Sequence, residues 1–267
     1  MKKNITYSLL IVLCILILIL LSNTYHIDGY KDFKIDSTAY VINLDKRPDR
    51  WEEIQERFRD SSIKLERVSA IEHPNGHIGC GLSFLKIVQM AKDNNWDTVL
   101  IFEDDNKPMD DFDLRWRNAK VWMDNNLDKW EIFNGSSRFP DWGQYDKDTK
   151  SSPYENQTRI LHRFDENVNM FETDELLNTN WMYINKSVYD KVLDWSYEKY
   201  NAIDRYLNSK KFFNVLFIIP VLAMQANSFS NIENKQTDLY DKTDETIHYI
   251  YDKILNATKN NVQPMEL

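Results

Sequence analysis

Three consecutive carboxylates, Glu103, Asp104 and Asp105, close the run Thr98-Val99-Leu100-Ile101-Phe102, and they are the side chains best placed to do chemistry. A short apolar run of this kind reads as a buried strand of a parallel sheet. Open α/β sheets hold their ligands beyond the carboxyl ends of such strands. Three adjacent acids repel one another unless positive charge sits among them. A hard divalent cation with oxygen ligands meets that need, and such ions share their coordination shell with a substrate's phosphates. An acidic surface turn is the alternative reading of the same octapeptide. Arg47 and Arg50 follow another strand end. Positive charge at a helix N-terminus is mildly unfavourable, so the pair points to an anionic ligand or a carboxylate network, with solvated charges as the ordinary alternative.

The elements that must position these groups read as strand, helix, strand, helix, strand. Residues 39–44 form a first strand, and Pro48 suits a first helical turn, after which Trp51, Ile54 and Phe58 recur at helical spacing. A second strand spans 65–69, glycine and proline punctuate 72–81, and 82–91 is apolar nearly all round, as a buried helix is. The acidic strand comes next, and this order predicts a parallel α/β sheet. Downstream, 112–127 reads as a helix, 130–134 as a strand, and 212–219 as a buried strand ended by Pro220. Val188, Val192 and Trp195 mark a further helix. Between them, 136–156 is irregular and carries Phe139, Trp142, Tyr145 and Tyr154, faces that suit sugar rings or anchor the loop to the core. Ile247, Ile250, Tyr251, Ile254 and Leu255 share one helical face, expected to pack back on the domain, with docking onto a partner as the alternative.

The N-terminus is of a different kind. Residues 4–25 carry no charge, 9–21 are continuously apolar, and Lys2 and Lys3 precede them. That length crosses a bilayer as a helix, and the positive-inside rule places the N-terminus in the cytoplasm. A cleaved signal peptide is the alternative, but no small-x-small site follows Leu21. The expected layout is a cytoplasmic tail at 1–4, a signal anchor at 5–24, a polar stem at 25–37, a catalytic-type domain at 38–235 and a C-terminal helix and tail at 236–267. That is a single-pass type II membrane protein with its domain lumenal or extracytoplasmic. Sequons at Asn134, Asn156, Asn185 and Asn256 are compatible with that side. The chain of 267 residues has net charge −9; setting aside Lys2 and Lys3 leaves 31 basic against 42 acidic residues, or −11. This argues against a nucleic-acid partner and requires local features to hold any anionic ligand. Cys14 lies in the apolar run, so Cys80 has no intramolecular partner in the domain. No Gly-x-x-x-x-Gly-Lys loop is present, which disfavours P-loop chemistry.

The ordered series Tyr40-Val41-Ile42-Asn43-Leu44-Asp45-Lys46-Arg47-Pro48-Asp49-Arg50, Ala70-Ile71, Gly79-Cys80-Gly81-Leu82-Ser83 and Leu100-Ile101-Phe102-Glu103-Asp104-Asp105 resembles glycosyltransferase family 25, which includes lipooligosaccharide and procollagen galactosyltransferases. Trp130 to Gly135, Met182-Tyr183-Ile184, Asp204-Arg205-Tyr206-Leu207, and Pro220 with Gln225 and Ser228 extend the likeness over residues 38–232. One departure is Phe84, where the family usually has His after the helix-start serine. The resemblance implies a GT-A-type α/β domain with a mostly parallel sheet, behind one transmembrane helix. It implies transfer of a hexose, galactose or glucose, from a UDP-sugar to a glycan or protein hydroxyl, with Mn²⁺ or Mg²⁺ as cofactor. Asp105 and Glu103 would then ligate the metal. Asn43, Arg47, Arg50, Ser83, Glu103 and Asp104 would bind the donor, with Glu103 facing the ribose. Asp204 would be the catalytic base, a helix N-terminal acid being its plainer reading. A family member without activity, serving as a binding or scaffold protein, is one alternative, and an unrelated metal-dependent phosphoryl-transfer enzyme using the same acidic strand end is another.

Overall fold

A computed structural model describes residues 37–136, 159–164, 168–174, 176–227, 229–230 and 235–236. The anchor expected at 5–24, most of the aromatic stretch at 136–156 and the C-terminal helix at 247–255 lie outside the described residues. Among the described residues, no helix is long and apolar enough to cross a membrane.

The expected βαβαβ opening is present. Strand β1 (Ser37–Asn43) leads to helix α1 (Pro48–Arg57), β2 (Ile63–Ser69), α2 (Gly76–Asp93) and β3 (Thr98–Glu103). A short β4 (Asn106–Pro108), α3 (Phe112–Asp124) and β5 (Ile132–Asn134) follow. The later elements are β6 (Arg159–Arg163), β7 (Asn169–Glu172), β8 (Trp181–Asn185), α4 (Tyr189–Leu193), α5 (Tyr197–Tyr200), α6 (Ile203–Leu207), β9 (Val215–Ile219) and β10 (Ala223–Gln225).

Eight strands join in the order β2-β1-β3-β8-β5-β9-β7-β6. The pairs β1/β2, β1/β3 and β5/β9 are parallel, whereas β8 and β7 run against their neighbours. Most strands therefore share one direction, yet four of the seven pairings are antiparallel, and the sheet is mixed.

Alternation along the strands builds two cores. Ala39, Val41, Leu100 and Phe102 face Ile54 of α1, Phe58 at its C-cap, and Trp116, Ala119 and Met123 of α3. Ile42, Val99 and Ile101 face Phe84, Ile87, Val88 and Ala91 of α2 together with Val192 and Ile203. The result is a three-layer α/β domain with its strand ends held by helices on both faces.

Helix α2 begins at Gly76, six residues before the apolar stretch at 82–91 that signals it. Asn75 caps it, accepting from the backbone N–H groups of His77 and Ile78. A β-carbon on Gly81 would lie 2.0 Å from the Trp195 ring, and one on Gly79 would lie 2.7 Å from the Ile71 carbonyl oxygen. Close approach, rather than a turn, explains both glycines.

Candidate active site

Strands β1 and β3 are neighbours, and from β1 the chain leaves toward β2 on the other side. Their carboxyl ends thus meet at a topological switch point, where open sheets form ligand crevices. A cleft of about 170 Å³ lies there, lined by Glu103, Asp104 and Asp105, by the loop after β2 and by the first turns of α2.

Register sets the first contacts. Ile42 pairs with Glu103, so Asn43 and Asp104 sit side by side just beyond. Asn43 donates its amide to Asp104 Oδ2 at 2.7 Å and to the Arg47 carbonyl at 3.0 Å, and its Oδ1 accepts from Arg67 Nε at 2.7 Å. Arg50 lies on the same helical stripe as Ile54 and Phe58, and α1 carries it under the strand end. Its Nη1 is 2.6 Å from Asp104 Oδ1 and its Nη2 is 3.5 Å from Asp105 Oδ2. Of the two readings of the arginine pair, a carboxylate network is what Arg50 makes. Arg47 instead bonds Asp49, with Nε at 2.9 Å and Nη2 at 2.7 Å, and does not line the cleft.

Strand β3 ends at Glu103, and the next two acids diverge. Asp105 accepts from the Asn180 amide and, at 3.0 Å, from Gln225 Nε2. Glu103 accepts from Thr179 Oγ1 at 2.5 Å. The Asn180 and Thr179 donors come from the segment 178–180, whose shape depends on Asn178. That residue has φ 79° and takes the N–H groups of Thr179 and Asn180 on its own Oδ1, at 2.8 and 3.1 Å. A short polar side chain tolerates this left-handed conformation. The Asn178 carbonyl accepts from the buried amides of Asn134 and Asn208, and Asn208 also donates to the Asp204 carbonyl. A chain of asparagines thus connects the acidic strand end to helix α6.

Electrostatics follow from this crowding. Burial, reinforced by the charge of Asp105, pushes the Glu103 carboxyl up to about 8. Burial also raises Asp104, against the opposing pull of Arg50. The Cys80 thiol is pushed up by burial and by the same acids, which removes it as a nucleophile near neutral pH. Near neutral pH Glu103 is mostly protonated, and Asp104 and Asp105 against one bonded guanidinium still leave the strand end short of positive charge. Among the described residues, no three His, Cys, Asp or Glu side chains are arranged to hold a metal ion by themselves. Glu103 and Asp105 nevertheless supply hard oxygen donors facing one cleft, the kind of partial set a hard cation completes with substrate phosphates.

The remaining candidates fall in different places. Ser83 is fully buried, donating to the Gly79 carbonyl at 2.7 Å and accepting from Ile71 N–H at 2.8 Å. It pins the loop that walls the cleft. Phe84 is buried in the core on the α2 face, so the departure at this position falls in the core rather than the cleft. Asp204 sits in the first turn of α6 and accepts from Arg205 N–H at 2.8 Å, as the plainer reading has it. It does not line the cleft, yet its charge bears on Glu103 and Cys80. Sequence reasoning did not nominate Thr179, Asn180 or Lys46. The first two belong to a segment with no periodic signal, and a lysine in a turn reads as solvated. Two of the sequons are structural: Asn134 and Asn185 are buried, with their amides donating to backbone carbonyls.

No protein-family model matches the chain, and no curated protein matches it. Solved structures similar to it include a glycosyltransferase involved in the glycosylation of the major capsid of PBCV-1, at 10% identity and TM-score 0.33 over 59% of this chain and 63% of that one. Mannose-1-phosphate geranyltransferase from Thermus thermophilus matches at 11% identity and TM-score 0.34 over 72% and 74% of the two chains. UDP-glucose pyrophosphorylase complexed with UDP-glucose matches at 9% identity and TM-score 0.38 over 81% of each. This chain spans less than two thirds of the first of these. Likeness this distant carries no functional conclusion.

Proposed function

We propose that this chain is a family 25-like glycosyltransferase of GT-A type, moving a hexose from a UDP-sugar to a hydroxyl of a glycan or protein. The observation that carries the reading is the cleft at the β1/β3 switch point with Glu103, Asp104 and Asp105 at its floor. Ligands of open α/β sheets bind at that place, and the sequence resemblance puts the same three acids at the donor site.

Each acid has its own task. Asp104 is committed to Arg50 and Asn43 and keeps α1 registered against the strand ends. Glu103 and Asp105 would hold a divalent cation, Mn²⁺ or Mg²⁺, with Glu103 also near the ribose. When bound, the cation neutralises charge that develops on the departing nucleoside diphosphate. Thr179 and Asn180 fix the two carboxylates in place before substrate arrives. Asp204 is the proposed base for the acceptor hydroxyl, a role that needs substrate to bridge it to the cleft. Anchoring through residues 5–24, with the domain on the far side of the membrane, completes the proposal.

The test is incubation of the soluble domain with a panel of UDP-sugars and Mn²⁺, following UDP release with and without candidate acceptors. Release that requires the metal and is lost in Asp105→Asn supports the reading. Absence of both release and UDP binding across the panel sinks it. Protease added to sealed membranes tests the topology: the domain should be spared until detergent is added.

A further inference from the structure

The cleft must hold a diphosphate on a protein of strongly negative charge, and the arginines expected to do so are engaged elsewhere. Arg47 is paired with Asp49 outside the cleft, and Arg50 lies buried between Asp104 and Asp105. Among the described residues, the lysine and arginine side chains that line the cleft are Lys46 and Arg50. Lys46 stands in the turn after β1 and is ion-paired with Glu72 in the loop after β2, and both side chains line the cleft. They are 58% and 65% exposed, against 9% for Arg50 and for Asp104. An exposed pair of this kind contributes little to stability and exchanges partners readily. Pulling Arg50 from its buried pair would instead leave uncompensated buried charge, so it stays with its carboxylates.

We propose that Lys46 is the cation that receives the donor's diphosphate, and that Glu72 occupies it as a stand-in anion until the donor binds. This deepens the nucleotide-sugar reading and rests on it. The exchange breaks the Lys46–Glu72 contact and forms an ammonium–phosphate contact, with no proton or covalent bond changing hands. A phosphate carries more charge and more acceptor oxygens than a carboxylate, so it displaces Glu72. The released Glu72 carboxylate then remains at the cleft mouth.

The experiment is calorimetric titration of the full chain in detergent, in Mn²⁺, with UDP, uridine and inorganic pyrophosphate. Lys46→Met should weaken UDP and pyrophosphate about tenfold, as loss of one charge-assisted contact implies, and leave uridine unchanged. Glu72→Gln should tighten UDP and pyrophosphate, because the competing anion is gone. Lys64→Met serves as a charge-matched control: it removes an exposed lysine paired with Glu66 on β2, outside the cleft lining, and should change UDP affinity less than about twofold at roughly 0.15 M salt. The proposal is overturned if Lys46→Met binds UDP and pyrophosphate as wild type does. It is also overturned if uridine is weakened equally, or if Lys64→Met loses as much. Wild type that binds pyrophosphate but not UDP removes the nucleotide reading and leaves Lys46 to be judged on the pyrophosphate arm. Wild type that binds neither overturns both.

Discussion

Replacing Arg50 by methionine separates two roles for a buried arginine beside a ligand cleft. Methionine keeps most of the apolar stem and removes only the guanidinium. In wild type that group lies 2.6 Å from Asp104 and 3.5 Å from Asp105, with all three side chains nearly sealed from water. Its removal strands the Asp104 and Asp105 carboxylates without a cationic partner. Breaking a buried ion pair by deleting one partner costs about 3–5 kcal/mol. The Asn43 amide still donates to Asp104, which favours the lower end. At about 2–4 °C per kcal/mol for a domain of this size, the melting temperature should fall by roughly 6–20 °C without any ligand. Asp104→Asn in the same chain removes a stranded charge, so the double variant should melt above Arg50→Met, and the cycle should show positive coupling. Differential scanning calorimetry of the four proteins, metal-free, reads this directly. If Arg50→Met melts within about 2 °C of wild type while losing UDP affinity, the guanidinium serves the ligand and the structural argument is refuted.

Asp105→Asn should leave the metal-free melting temperature unchanged or slightly raised, because the Asn180 amide can rotate to accept from the new side chain. It should also abolish the stabilisation that Mn²⁺ plus UDP gives to wild type; equal gains in both proteins would end the metal-site reading. Gly81→Ala should destabilise by about 1–3 kcal/mol through overpacking, since Trp195 is held by its indole N–H on the Asn201 carbonyl and cannot retreat freely; thermal melts with Trp fluorescence measure it. Folded protein made in a glycosylating host should carry no glycan at Asn134 or Asn185, where the amides are buried and bonded; intact-protein and peptide mass spectrometry decides, and an occupied site on folded protein contradicts the structure.

The parts legible in sequence were those set by local pattern. β1 and β3 announce themselves as apolar runs, and their alternation onto the two cores follows from strand geometry alone. The start of α2 was hidden because Gly79 and Gly81 lower helix propensity, although Asn75 was available as a capping signal. The mixed character of the sheet could not be read locally. β8 inserts between β3 and β5 from far along the chain, and such pairing is written in tertiary contacts rather than periodicity. The division between Arg47 and Arg50 was within reach. Positions 50, 54 and 58 share a helical stripe with the core, and position 47 does not.

That division bears on how a strongly negative chain could handle an anionic donor. The arginine nearest the acids is spent on holding them, and the acids are individually fixed by Arg50, Thr179, Asn180 and Gln225. Groups fixed before the reaction need no reorganisation when charge develops, which is where electrostatic catalysis gains most. The same arrangement leaves the strand end short of positive charge, so a diphosphate would be repelled unless a cation came with it or an exchangeable one stood nearby. A divalent ion on Glu103 and Asp105 would supply the first, and Lys46, lightly held by Glu72 at the rim, the second. Rigid acids below and an exchangeable lysine above form a site whose affinity depends on the phosphates while the carboxylates stay where the fold puts them.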